Sequence, residues 1–75
     1  MAWKNRIIVD NRVLAGKPII KGTRISVEHI IGLLAEGWTP EKIMDNYPQL
    51  KKPEIEAALK YAAETLKQEK VYTVH

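Results

Sequence analysis

The stretch SVEHIIGLLAEGWTPEKIMDNYP, residues 26–48, decides the fold. Ser26 is a good helix cap, because its hydroxyl accepts from an N–H group that the first turn leaves unpaired. Val27, Ile30, Ile31, Leu34 and Ala35 then recur at i, i+3, i+4, i+7 and i+8, one apolar stripe. Gly37 stops the helix in a left-handed conformation, and Trp38 falls where a Schellman motif places its apolar contact, on Leu33. A first helix over 27–36 follows. Thr39-Pro40 restarts the chain with a capping hydroxyl and a proline that has no N–H to leave unpaired. Pro48 disfavours the helical conformation at Tyr47 and ends a short second helix over 40–46. Its inward face is Ile43, Met44 and Tyr47.

Beyond Pro48, Pro53 opens a third helix in the same first-position role. Ile55, Ala58, Leu59, Ala62 and Leu66 form its stripe. Glu54 and Glu56 suit the positive start of that helix, and Lys67 and Lys70 suit its negative end. The spacing predicts a helix over 53–69, followed by a β-prone tail, Val71-Tyr72-Thr73-Val74. Before Ser26 the pattern is strand-like: Ile7-Ile8-Val9 is β-branched, Val13-Leu14-Ala15-Gly16 is a second apolar run, and Pro18-Ile19-Ile20 leads to a turn at Gly22. Pro18 lacks a ladder donor, which puts its segment on an edge or outside the sheet. The expected fold is α+β, mainly α: a short N-terminal β element followed by a three-helix helix-turn-helix bundle. One domain spans 1–75, as a β-rich arm (1–25), the bundle (26–69) and a tail (70–75). The turn before the third helix is longer than the usual three to four residues, so a generic three-helix bundle stays open as the alternative.

The chain has 75 residues, with 45% hydrophobic and 28% charged, ordinary globular material rather than a disordered tail. A domain this small buries a modest share of its surface, and it has no Cys to supply disulfides or thiolate metal sites. A partner chain is the remaining compensation, and a homodimer is expected. No apolar run reaches the length of a membrane span, and no signal-peptide pattern opens the chain; a cytoplasmic protein without membrane contact is expected.

The twelve Lys and Arg outweigh nine Asp and Glu, and the excess is N-terminal. Residues 1–25 carry Lys4, Arg6, Arg12, Lys17, Lys21 and Arg24 against Asp10 alone, residues 26–50 are net acidic, and residues 51–75 are nearly balanced. A basic first third points to an anionic partner such as nucleic acid, or to a strand edge protected by charge. The DNA-binding candidates are Lys51, Lys52, Lys60, Tyr61 and Lys67 on the third helix and Lys4, Arg6 and Arg12 in the arm. Glu54 and Glu56 oppose phosphate at the start of the third helix. Each lysine also fits a simple solvated face. Arg24 fits a structural role at the strand-to-helix corner better than a phosphate contact.

No catalytic arrangement stands out. His29 and His75 lie far apart without a ligand cluster, so no metal site or cofactor is expected. His29, one step from the apolar stripe, reads as a partly buried helix residue. No nucleotide-binding fingerprint appears. The chain reads as a non-enzyme.

Three blocks resemble a known family. Gly16-Lys17-Pro18-Ile19-Ile20-Lys21-Gly22-Thr23-Arg24-Ile25 resembles the opening signature of the domain-of-unknown-function 433 family. Leu34 to Ile43, followed by Tyr47-Pro48, resembles its second block, and Ile55 to Ala62 its third. The resemblance covers about 9–66 in the right order. It departs at Lys52, where a small polar cap is more usual before Pro53. It implies a short β element plus a helix-turn-helix, often dimeric, in antitoxins related to the VapB type that neutralise PIN-like nuclease toxins. Such nucleases hold metal with carboxylates, so Lys67, Lys70, Tyr72 and His75, at the end of the third helix and in the tail, are the partner-binding candidates. Operator DNA is the second expected partner. A stand-alone homodimeric helix-turn-helix transcription regulator is the alternative.

Overall fold

The computed structural model describes residues 3–68. A short 3₁₀ turn, Trp3–Arg6, leads into strand β1 (Ile7–Val9), which pairs antiparallel with strand β2 (Pro18–Ile20). The register sets Ile7 opposite Ile20, Ile8 opposite Ile19 and Val9 opposite Pro18. Pro18 does sit in a strand, at its first residue, where a missing ladder donor costs least. An isolated bridge joins Ile19 to Ser26, so the chain folds back along the far side of β2 before the helices begin. Three helices follow: α1 (Val27–Ala35), α2 (Pro40–Asn46) and α3 (Lys52–Gln68).

The capping signals act as read. The Ser26 hydroxyl accepts from the His29 N–H at 2.9 Å, and the Thr39 hydroxyl from the Lys42 N–H at 3.1 Å. At the end of α1 the Trp38 N–H donates to the Leu33 carbonyl and the Gly37 N–H to the Leu34 carbonyl, both at 3.0 Å, with Gly37 at φ +99°. That is the Schellman pair of bonds. Helix α3 starts one residue earlier than expected. Lys51 occupies the cap position, and the Glu54 carboxylate reaches back to accept the Lys51 N–H at 2.9 Å. This is the acidic half of a capping box, which works without a small polar residue before Pro53.

Two apolar runs depart from their expected roles. Val13 to Gly16 is no strand: Leu14, Ala15 and Gly16 all take positive φ (+49°, +56° and +82°), a left-handed 3₁₀ turn at the hairpin tip. The α1 stripe is also rotated. Val27, Ile30 and Leu33 are buried, while Ala35 is exposed, because β2, α2 and α3 all pack on α1 and centre its core face nearer Leu33. The core joins Ile20, Val27, Ile30, Leu33, Ile43, Leu50, Ile55 and Ala58. Leu50, in the link before α3, is fully buried and closes the base of that core. On α3 only the first half of the predicted stripe is covered. Ile55 and Ala58 are buried, but Leu59 and Leu66 are 47% and 63% exposed. Leu59, about 100° round the helix from the buried Ala58, turns off the core face, and Leu66 lies near the end of α3.

Candidate anion-binding site

The start of α3 and the end of the N-terminal 3₁₀ turn meet at one edge of the molecule. Packing of that turn on α3 brings Arg6 beside Glu54, whose side chain is mostly buried. The Arg6 Nη1 donates to Glu54 Oε2 at 2.6 Å, while Glu54 Oε1 accepts from the Lys51 N–H. One carboxylate thus holds a guanidinium and the helix N-terminus together. Next to this pair the Lys21 N–H donates to the Arg6 carbonyl at 2.7 Å, which continues the β1–β2 ladder into the turn. Asn5, Arg6, Ile20, Lys21 and Glu54 line a cleft of about 300 Å³. Lys51, at the cap position, and Lys52, the first residue of α3, are exposed.

The electrostatic consequence differs from a count of charges. By position alone Glu54 repels phosphate from the helix start, yet it is engaged by Arg6 and by the cap. Its negative charge is paired in place, Lys21 lines the same cleft, and Lys51 and Lys52 are exposed at the start of α3. Such an edge favours anions through both the lysines and the positive end of α3. Lys21 is the residue that site reasoning from sequence passes over. It belongs to a Lys-Gly turn, and only the hairpin register carries it to α3.

The other candidates are distributed elsewhere. Lys4 is exposed on the N-terminal turn. Arg12 lies at the hairpin tip and is turned onto Asp10, with its Nε and Nη2 both donating to the carboxylate at 3.1 Å. Those bonds, with that from the Arg12 N–H, hold the Asp10 carboxyl below its usual range. Lys60 is exposed on α3, two turns beyond Lys52. Tyr61 packs against the core and lines an apolar groove. Lys67 is exposed and lies 3.7 Å from Glu64 on the preceding turn. Lys70, Tyr72 and His75, with the rest of the tail, lie outside the described residues. The structure therefore gathers Arg6, Lys51 and Lys52 at one edge and leaves Arg12, Lys60, Tyr61 and Lys67 apart from it. Arg24 is exposed in the link between β2 and α1.

His29 is exposed rather than partly buried, and its Nε2 lies 2.9 Å from the Tyr47 hydroxyl. The rings meet edge to face at 5.6 Å, tying α1 to the end of α2. Lys42 stands 4.3 Å above the Trp38 ring, a cation–π contact across the α1–α2 link. Among the described residues no three His, Cys, Asp or Glu side chains stand together as a set able to hold a metal ion, and no helix is long and apolar enough to cross a membrane.

The chain is similar to known proteins. A family model described as "Protein of unknown function (DUF433)" matches residues 7–62. The crystal structure of a DUF433 member protein from Anabaena variabilis superposes with a TM-score of 0.80 at 27% identity, over 89% of this chain and 66% of that one. An uncharacterized protein of Archaeoglobus fulgidus is 61% identical over 23 residues, which is 31% of this chain and 64% of the relative. The chain thus spans slightly less than two thirds of the length of either relative.

Proposed function

This chain belongs to the DUF433 family, and we propose that it serves as the antitoxin-like half of a type II toxin–antitoxin pair in the cytoplasm. It neutralises a PIN-like nuclease by direct binding and holds its own operator DNA through the cationic edge at the start of α3. The observation that supports the DNA arm is the cleft that Arg6, Lys21 and Glu54 line at the start of α3, where Arg6 engages Glu54 and the exposed Lys51 and Lys52 adjoin in sequence. Phosphate contacts of this kind supply affinity and register without reading sequence. The toxin arm rests on the resemblance to the DUF433 family, which implies a relation to VapB-type antitoxins. Lys67, Lys70 and the tail with Tyr72 and His75 are the groups to meet a nuclease whose metal centre is built from carboxylates. A stand-alone transcription regulator of the helix-turn-helix kind is the second reading, and the same cationic edge favours it.

Two measurements separate them. Co-expression with a PIN-like nuclease encoded beside this gene should restore growth and yield a co-purifying complex; no rescue and no complex, with DNA still bound, leaves the stand-alone regulator. Gel shifts on the gene's own upstream DNA should show retardation that weakens steeply with salt. Replacing Lys21, Lys51 and Lys52 by Gln should reduce the slope of log affinity against log salt by about 0.9 for each phosphate that is no longer neutralised. Absence of retardation, with the nuclease present and absent, removes DNA from the function.

A further inference from the structure

Glu54 is the one carboxylate in a cleft otherwise lined by Asn5, Arg6, Ile20 and Lys21. By charge alone it repels phosphate. Yet both of its oxygens are committed within the fold. Oε2 accepts from Arg6 Nη1 and Oε1 from the Lys51 N–H, and the side chain is only 15% exposed. Arg6 is committed far less. A guanidinium carries five N–H donors, and among the described residues the bond to Glu54 is its one side-chain hydrogen bond. Its side chain stays 42% exposed.

We infer that this cleft binds a single phosphate group and that Glu54 is a positioning residue for it, holding Arg6 so that the unused N–H groups of the guanidinium meet the phosphate oxygens. The cleft is the cationic edge of the reading proposed above, on which this role rests, but the role is the reverse of the one that charge assigns to Glu54. An arginine fixed to a carboxylate through one nitrogen keeps a planar fork of donors that matches two phosphate oxygens at once. Because its side chain is already ordered, less rotamer freedom is lost when the phosphate arrives. The Lys21 ammonium and the Asn5 amide supply further donors at the rim. Ile20, almost wholly buried, gives the cleft an apolar wall, which strengthens charged hydrogen bonds beside it. The same chemistry takes a phosphate of the DNA backbone or a free one.

Two titrations of the full-length chain separate these sources. Duplex DNA from upstream of the gene is followed by gel shift. Inorganic phosphate is followed by the magnetic resonance signals of the Asn5 side-chain amide, the Arg6 Nε–H and the Lys21 N–H. Glu54→Gln keeps an oxygen for the Lys51 N–H but loses the charge that holds Arg6. It should weaken duplex binding about two- to tenfold, the cost of ordering one long side chain on binding, although the protein becomes more positive. Arg6→Lys, which leaves Glu54 in place and keeps the charge without the fork, should also weaken it. In an Arg6→Gln background, Glu54→Gln should cause no further loss. Phosphate should shift the three signals in the wild type and not in Arg6→Gln. Equal or tighter binding by Glu54→Gln overturns the positioning role, as does undiminished binding by Arg6→Lys, and both leave the DNA reading intact. Duplex binding that moves none of the three signals places the DNA contact elsewhere and overturns the inference alone. Phosphate binding with the same order of variants, but no retardation of duplex, supports the inference and removes the DNA reading. No response to either ligand overturns both.

Discussion

Glu54 does two jobs with one carboxylate. It caps α3 through the Lys51 N–H and holds Arg6, 48 positions away in sequence. Replacing it by Ala removes both interactions and leaves the guanidinium without its carboxylate. The Arg6 side chain is 42% exposed, so solvent screens part of the ion pair. The expected loss is about 1–2 kcal/mol in urea unfolding, mostly from the cap. Arg6→Ala should cost less, because the cap survives. The left-handed turn offers the opposite change. Ala15 holds φ +56°, a conformation that costs an L-residue about 1–2 kcal/mol and glycine little. Ala15→Gly should therefore raise stability by up to about 1 kcal/mol, offset in part by the greater freedom glycine has in the unfolded chain. The same exchange at Gly16 runs the other way: it has φ +82°, and an added Cβ would stand 2.8 Å from the Asn11 Oδ1.

At the scale of elements, the end of α1 sets the angle at which α2 leaves. Gly37 at φ +99° permits the Schellman bonds from Gly37 and Trp38, and Trp38 then packs on the core while Lys42 covers its ring. Gly37→Ala meets no steric obstacle, since the space around it is open. Its cost is conformational, about 1 kcal/mol, and should appear as a lower melting temperature without change in helix content at low temperature. How much of each element is legible in sequence differs for a physical reason. Ser26, Gly37, Thr39 and Pro48 act on backbone groups within a few positions of themselves, so the bounds of α1 and α2 follow from local sequence to within a residue. Val13 to Gly16 misleads because its residue types suit a strand, while the turn they adopt is set by closing the hairpin on the register of Ile8 with Ile19. Leu50 carries no periodic signal, since it lies in a link, and its burial depends on three helices meeting beneath it.

For the whole molecule, a single small core has little margin. Ile30 is wholly buried where β2, α2 and α3 converge on α1. Ile30→Ala should cost about 2–5 kcal/mol, enough on a domain of this size to give a largely unfolded chain at about 37 °C by circular dichroism. Acid acts on the surface instead. Hydrogen bonds from Arg12 lower the Asp10 carboxyl, and the hydrogen bond and charge of Lys17, at 2.8 Å, lower that of Glu28. A carboxylate with a depressed folded-state value stabilises the fold above its ordinary value and loses that contribution as the group protonates. Thermal stability should thus be level near neutrality and fall as pH drops through 4.5 and then 3.8, the ordinary values for Glu and Asp. Both pairs lie at the surface, so the decline should be shallow and should flatten further in high salt. A rise in stability over that range would contradict the pairings.

The candidate site divides along the same line. The basic character of the first third and the lysines at the start of α3 are plain in the sequence. Their meeting is not, because Arg6 reaches Glu54 only when the N-terminal turn packs on α3, and Lys21 joins them only through the hairpin register. By itself the sequence determined the α+β class, the order of elements and the helix ends, all of which depend on neighbours within a turn of helix. Tertiary structure decided which part of each apolar stripe is covered, which charges are spent on one another and which remain for a partner. Those outcomes depend on the contacts of elements far apart in the chain, and no local pattern encodes them.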